Sequence, residues 1–250
     1  MKGLPLTDTR THSFSDLDSL SQFAAERLLQ LANDCLHSQG SFSLALAGGS
    51  TPKRLYQYLA ESEQASRLDW SRVKIYFGDE RCVEPTHEDS NYRMAKEAFL
   101  AQSAIAKSQI YRMHGELENP SQAAKDYATL LNETLPQSKT GVPTFDLVLL
   151  GLGPDGHTAS LFPDTDILNE SKRAVASVYV EKLAAHRISL TYPTLNAASR
   201  LWILAAGSSK KEIVAAIFGD PTSKKYPIQR MRPNGSVEWF LDEAAGDGLS

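Results

Sequence analysis

Hydrophobic positions along the chain fall into two recurring spacings, one helical and one extended. Over residues 16–37, Leu17, Leu20, Phe23, Ala24, Leu28, Leu31 and Leu36 recur at helical intervals. They predict an amphipathic helix with a capping-box-like start at Ser15 and Asp18 and a stop at Gly40. A short apolar run follows at 42–47 (FSLALA) and ends in Gly48-Gly49-Ser50-Thr51-Pro52. This reads as a buried strand, a turn and a new helix with Pro52 in its first turn. The same order of apolar run and polar loop returns at 73–77 (VKIYF) before Gly78-Asp79-Glu80-Arg81, at 145–150 (FDLVLL) before the loop 151–157 (GLGPDGH), and at 201–206 (LWILAA) before Gly207-Ser208-Ser209-Lys210. Helical patterns near 91–100, 121–135 and 210–218 supply the crossovers. Near-continuous apolar strands alternating with helices predict an α/β fold, a mainly parallel sheet covered by helices on both faces. In such sheets ligands collect beyond the carboxyl ends of the strands, where all four loops fall.

Composition narrows the reading. The chain has 250 residues, 42% of them hydrophobic and 22% charged, which suits one large core and argues against disorder or a low-complexity scaffold. The stretch 136–143 (PQSKTGVP) is too short to be more than a surface connection, so we expect a single domain over 1–250. A formal net charge of -4 offers no broad basic surface for nucleic acid or for polybasic membrane docking, while leaving room for a local basic pocket. Cys35 and Cys82 are the two cysteines and form neither a CxxC pair nor a zinc-ligand cluster. The first 20 residues lack an apolar core of signal-peptide length, and no stretch of about eighteen apolar residues occurs, so a cytoplasmic protein is expected. The small, polar ending at 243–250 is expected to fray.

The loops carry the candidate chemistry. Gly48, Gly49, Ser50 and Thr51 precede a helix start, where glycine lets main-chain N–H groups approach an anion and the hydroxyls add donors; a tight turn with a capping Ser or Thr is the alternative. The loop 151–156 matches Gly-x-Gly-x-x-Gly after a strand, but Pro154 and the Phe162-Pro163 break leave no crossover helix before Glu181, which argues against a dinucleotide site. What this loop offers instead is Asp155 two residues from His157: an imidazole able to take a proton from water and a carboxylate able to orient it. His12, His37, His87, His114 and His186 have no comparable setting. Asp79, Glu80 and Arg81 form either a solvated turn or a charged edge that binds an anion. Arg187 opens a strand-like run, and Lys210 sits at a helix start, where a cation is electrostatically disfavoured unless an anion relieves it; ordinary solvated cations are the alternative for both. Neither a Gly-x-Ser-x-Gly elbow nor a His-Glu-x-x-His motif is present, so water is the simpler nucleophile.

Five segments taken together, LALAGGSTP (44–52), FGDERCV (77–83) with SNY (90–92), LLGLGPDGHTASLFP (149–163), RISLT (187–191) and AAGSSK (205–210), resemble the 6-phosphogluconolactonases. Those enzymes lie within a larger group of sugar-phosphate proteins that includes glucosamine-6-phosphate deaminase. The resemblance implies a Rossmann-like domain that hydrolyses 6-phosphoglucono-δ-lactone to 6-phosphogluconate in the oxidative pentose phosphate pathway, with no organic cofactor and no metal. It implies that His157 is the general base and Asp155 its support. It assigns Gly49, Ser50, Thr51, Arg187 and Lys210 to a phosphate cradle, with Gly48 in the same loop. Asp79 and Arg81 would contact substrate near the lactone, with Asn91 of the SNY segment also on the substrate side.

Two positions separate this reading from the deaminases, which share Gly-x-Asp-Gly-His. They carry a Glu five residues after that His, where this chain has Phe162, and a Tyr after the Asp-Glu pair, where it has Arg81. A phenyl ring transfers no proton, so amino-sugar isomerisation lacks a required part. A non-catalytic sugar-phosphate sensor would keep the cradle but has no use for the Asp155–His157 pair.

Overall fold

The computed structural model describes residues 9–248. In chain order these form β1 (Arg10–Phe14), α1 (Leu17–Gln39), β2 (Phe42–Leu46), α2 (Ser50–Glu61), β3 (Val73–Phe77), β4 (Asp79–Arg81), α3 (Asn91–Ala95), α4 (Pro120–Thr134), β5 (Leu147–Gly151), β6 (Val175–Val180), β7 (Ala185–Leu190), α5 (Tyr192–Ala197), β8 (Arg200–Ala205), α6 (Lys211–Gly219), β9 (Ser236–Asp242) and α7 (Glu243–Gly246), with short single-turn helices between. A six-stranded sheet in the order β1-β9-β8-β5-β2-β3 is parallel throughout. Side chains alternate across it, and both faces are apolar. Leu147 and Leu149 join the core built with α1 and α2, whereas Val148 and Leu150 join the core that includes α4 and α6. Burial on both faces is why these strands read as unbroken apolar runs. The α/β class, a mainly parallel sheet flanked by helices, is therefore as expected.

From β2 the chain moves outward to β3, and from β5 it moves the other way to β8, so the strand order reverses between β2 and β5. The loops leaving their carboxyl ends diverge there and open a crevice, the usual ligand position in open α/β sheets.

Several sequence expectations change. The helix start is Asp16, whose carboxylate accepts the Ser19 N–H at 2.7 Å, and not a Ser15–Asp18 box. The helical pattern near 91–100 splits into α3 and a π turn at Lys96–Leu100. Residues Asp79, Glu80 and Arg81 are not a loop: they form β4 of a second, antiparallel sheet in the order β4-β7-β6. Gly78 joins the two sheets, donating its N–H to Leu46 O at 2.9 Å in the first and accepting from Leu190 N at 2.8 Å in the second. Strands β1 and β9 have no counterpart among the expected elements. Within the ending expected to fray, Glu243–Gly246 is helical and capped by Asp242, which accepts the Ala245 N–H at 2.8 Å; residues 249–250, like residues 1–8 of the amino-terminal reading, lie outside the described residues. Cys35 and Cys82 are unpaired thiols. Among the described residues, no helix is long and apolar enough to cross a membrane.

Candidate active site

The loop after β5 folds back on itself. Gly153 donates to His157 O at 2.9 Å, Gly156 to Gly153 O at 3.0 Å, and the Thr158 hydroxyl to Gly151 O at 2.9 Å. This turn brings two side chains that are adjacent but one in sequence face to face: His157 Nδ1 lies 2.5 Å from Asp155 Oδ1. The ring stacks on Phe162 with centroids 4.0 Å apart. A side chain at Gly153 would meet the imidazole, with a Cβ only 2.0 Å from Nδ1, so the loop needs glycine there.

The tautomer follows from the partner. Burial favours a neutral Asp155, but hydrogen bonds from His157 and Lys182 outweigh it and hold the carboxyl well below the usual range, so Asp155 is an anion that only accepts. Nδ1 must therefore carry the proton, which leaves the lone pair of Nε2 free to act as a base.

Asp79 is buried at the start of β4. Its Oδ2 accepts from the Ser160 hydroxyl at 2.7 Å and its Oδ1 from Asn91 Nδ2 at 3.1 Å. Asn91 also donates to Asp79 O at 2.9 Å, and its Oδ1 is buried without a partner, in the space that a side chain on Gly48 would fill. Asn91 thus works on Asp79 from the cavity wall. Glu80 faces away and ties β4 to α3, accepting from the N–H groups of Arg81 at 2.8 Å, Asn91 at 2.7 Å and Tyr92 at 2.9 Å. Burial pushes its carboxyl up against those three donors.

The cations converge in the same way. Arg81 and Arg187 are register partners across β4 and β7. Like charges directly opposite on a sheet repel. Burial, followed by the nearby Arg81, lowers the affinity of the Arg187 guanidinium for its proton. Lys210 sits in the turn before α6, and burial lowers its pKa against the opposing pull of Asp155. Helix α2 begins at Gly49 with neither a capping side chain nor an acidic residue in its first turn, leaving N–H donors at its positive end. An anion would relieve all three arrangements at once.

Gly48, Gly49, Ser50, Thr51, Asp79, Arg81, Asn91, Asp155, His157, Arg187 and Lys210 all line one cavity of about 440 Å³, a size suited to a small ligand. Among the described residues, no group of three His, Cys, Asp or Glu side chains is placed to hold a metal ion. Sequence reading missed Lys182. It enters the cavity from the turn between β6 and β7 and donates to Asp155 Oδ2. It also missed the support that Ser160 gives Asp79. No local signal marks either residue, since both contacts join segments far apart in the chain.

An α/β sheet with cations and an Asp-supported imidazole in one cavity at its switch point is the arrangement of a protein that binds a small anion beside a base, and comparison specifies the class. Residues 15–239 match the family model described as "Glucosamine-6-phosphate isomerases/6-phosphogluconolactonase". A 6-phosphogluconolactonase of a Nostoc species is 36% identical over 236 residues, covering 94% of this chain and 96% of that protein. The solved 6-phosphogluconolactonase of Trypanosoma brucei superposes with a TM-score of 0.85 at 30% identity, covering 97% of this chain and 99% of that one. A monomeric glucosamine-6-phosphate deaminase, at 19% identity and a TM-score of 0.79 over 96% of this chain and 99% of that one, shares the fold. The chain belongs to the glucosamine-6-phosphate isomerase/6-phosphogluconolactonase family.

Proposed function

We propose that this protein is a 6-phosphogluconolactonase, hydrolysing 6-phosphoglucono-δ-lactone to 6-phosphogluconate in the oxidative pentose phosphate pathway. The observation that carries the reading is Asp155 held on Nδ1 of His157 in a cavity walled by Arg81, Arg187 and Lys210. Relatives named for this activity cover nearly the whole chain.

In the mechanism, Nε2 of His157 takes a proton from a water molecule as its oxygen attacks C1 of the lactone. Asp155 stabilises the imidazolium that forms. The carbonyl oxygen becomes an oxyanion, stabilised by nearby cationic charge, with Arg81 and Asp79 at the lactone end. The tetrahedral intermediate then collapses: the bond from C1 to the ring oxygen breaks, the imidazolium returns its proton to that oxygen, and a hydroxy acid is left. Positioned base catalysis is worth about 10² to 10⁴-fold. Gly49, Ser50, Thr51, Arg187 and Lys210 grip the phosphate and hold C1 within reach of the water. Neither a covalent intermediate nor a metal is called for.

Phe162 supports this choice over deamination. It stacks on His157 at the position where deaminases carry their glutamate, and it transfers no proton. We read residues 1–250 as one catalytic domain, supported by the two cores that share the six-stranded sheet. A cytoplasmic setting belongs to the same proposal, supported by the unpaired Cys35 and Cys82. The test is proton release from freshly generated lactone, which the protein accelerates above the spontaneous rate in buffer. A deaminase would instead release ammonia from glucosamine-6-phosphate, and a sensor would do neither.

A further inference from the structure

Lys182 reaches the active site from the single turn Glu181–Leu183 that joins β6 to β7. Its ammonium makes two contacts, donating to Asp155 Oδ2 and lying 4.7 Å from the centroid of the Phe162 ring. Asp155 presents its other oxygen to Nδ1 of His157, and Phe162 stacks on the same imidazole. One ammonium therefore touches both supports of His157. The Lys182 side chain is 52% exposed, and an ion pair so open to water contributes little to folding stability. Its effect falls on His157 instead.

We propose that Lys182 is a positioning residue for the hydrolysis, holding Asp155 by Oδ2 so that Oδ1 stays on Nδ1 of His157. The inference rests on the lactonase reading and names a part of its machinery. Two physical consequences follow. An anchored Oδ2 stops the carboxylate from rotating away from the ring, which keeps Nε2 aimed into the cavity. An ammonium on Asp155 also shares that anion with the imidazole, so the carboxylate is held between two donors.

Other charged groups face the same cavity: Asp79 and Arg81 from β4, Arg187 from β7 and Lys210 from the turn before α6. Lys182 differs from these in bonding the second oxygen of Asp155 directly. Its removal takes one positive charge from the support of His157 and leaves the anion in place. The carboxylate then acts on the imidazole alone.

The test compares the wild-type protein with Lys182→Met, which keeps an apolar stem over Phe162, and with Lys182→Arg, which restores the charge. Two readouts are used: kcat and KM for the lactone across pH, and the NMR titration of the His157 ring, assigned with His157→Gln. In Lys182→Met the acid limb of kcat/KM and the ring titration both move to higher pH, by about half a unit to one unit. Turnover at neutral pH falls about tenfold with KM within about twofold, and Lys182→Arg recovers most of both. A raised KM with an unmoved titration would overturn the proposal and make Lys182 a substrate contact. No change in either readout would overturn it and make Lys182 a solvated cation. The NMR readout needs no turnover, so failure of the lactonase reading would show as a wild-type protein without activity, separately from the fate of the Lys182–Asp155 clamp.

Discussion

The imidazole of His157 occupies the space that a side chain on Gly153 would need, with Nδ1 only 2.0 Å from where a Cβ would stand. The His157 ring and the glycine four residues before it are therefore one structural unit. Gly153→Ala pushes the ring off Asp155 or distorts the loop. Because small displacements of a reacting group are costly, we expect kcat to fall by about 10²-fold. Overpacking should cost about 1–3 kcal/mol of stability. Steady-state kinetics and a thermal melt of the variant check both.

Asp155→Asn keeps the shape of the support and removes its charge. The imidazolium formed in the reaction loses its stabilising anion, and the amide can present a donor where Nδ1–H needs an acceptor. Turnover is expected to drop on the order of 10²-fold, with KM changed much less, since the residues proposed to hold the phosphate are untouched. A profile of kcat and KM for this variant checks the split.

Lys210 carries an unfavourable burial that an anion relieves. Loss of a charged hydrogen bond typically removes about 1.5–3 kcal/mol, so Lys210→Ala is expected to raise KM by about 10- to 100-fold while kcat stays within a few-fold. The same site predicts ligand stabilisation. At a hundredfold excess over its Kd, 6-phosphogluconate adds about 2.7 kcal/mol to the wild-type protein, which a thermal melt reads as an upward shift in Tm. In Lys210→Ala that shift shrinks at equal ligand concentration.

Stability at acid pH depends on another pair. The Arg112 guanidinium binds both oxygens of Glu116, at 2.6 and 2.8 Å, and draws its pKa from 4.5 down to about 2. A carboxyl lowered on folding contributes fully above its unfolded value and loses that contribution as pH falls towards the folded value. Arg112→Gln should therefore lower Tm at pH 6, and the gap to wild type should narrow as pH drops below 4.5 towards 2. Melting curves across that range check the sign.

Much of this architecture was legible because the parallel strands are buried on both faces. VKIYF coincides with β3, and the apolar runs near 42–47, 145–150 and 201–206 overlap β2, β5 and β8 within one or two residues. The loops that follow them held the candidate chemistry for the same topological reason. Strand β1 escaped notice because RTHSF has an exposed, polar pattern and is a strand only through its pairing with β9. In β9 the obstacle is Glu238, buried mid-strand and hydrogen-bonded to His12 at 2.7 Å and Arg27 at 2.8 Å, partners more than 200 residues away in sequence. Asp79, Glu80 and Arg81 look like a charged turn, and only pairing with β7 makes them a strand. Lys182 illustrates the same limit within the site: nothing near it in the chain announces a contact with Asp155.

The most direct test of the account follows proton release from freshly generated 6-phosphoglucono-δ-lactone, with the wild-type protein and His157→Ala compared against buffer. The account predicts that the wild-type protein opens the lactone well above the spontaneous rate, and that His157→Ala loses about 10² to 10⁴-fold of that turnover with little change in KM. Wild-type turnover in His157→Ala would contradict it, because the proposed base would then be dispensable.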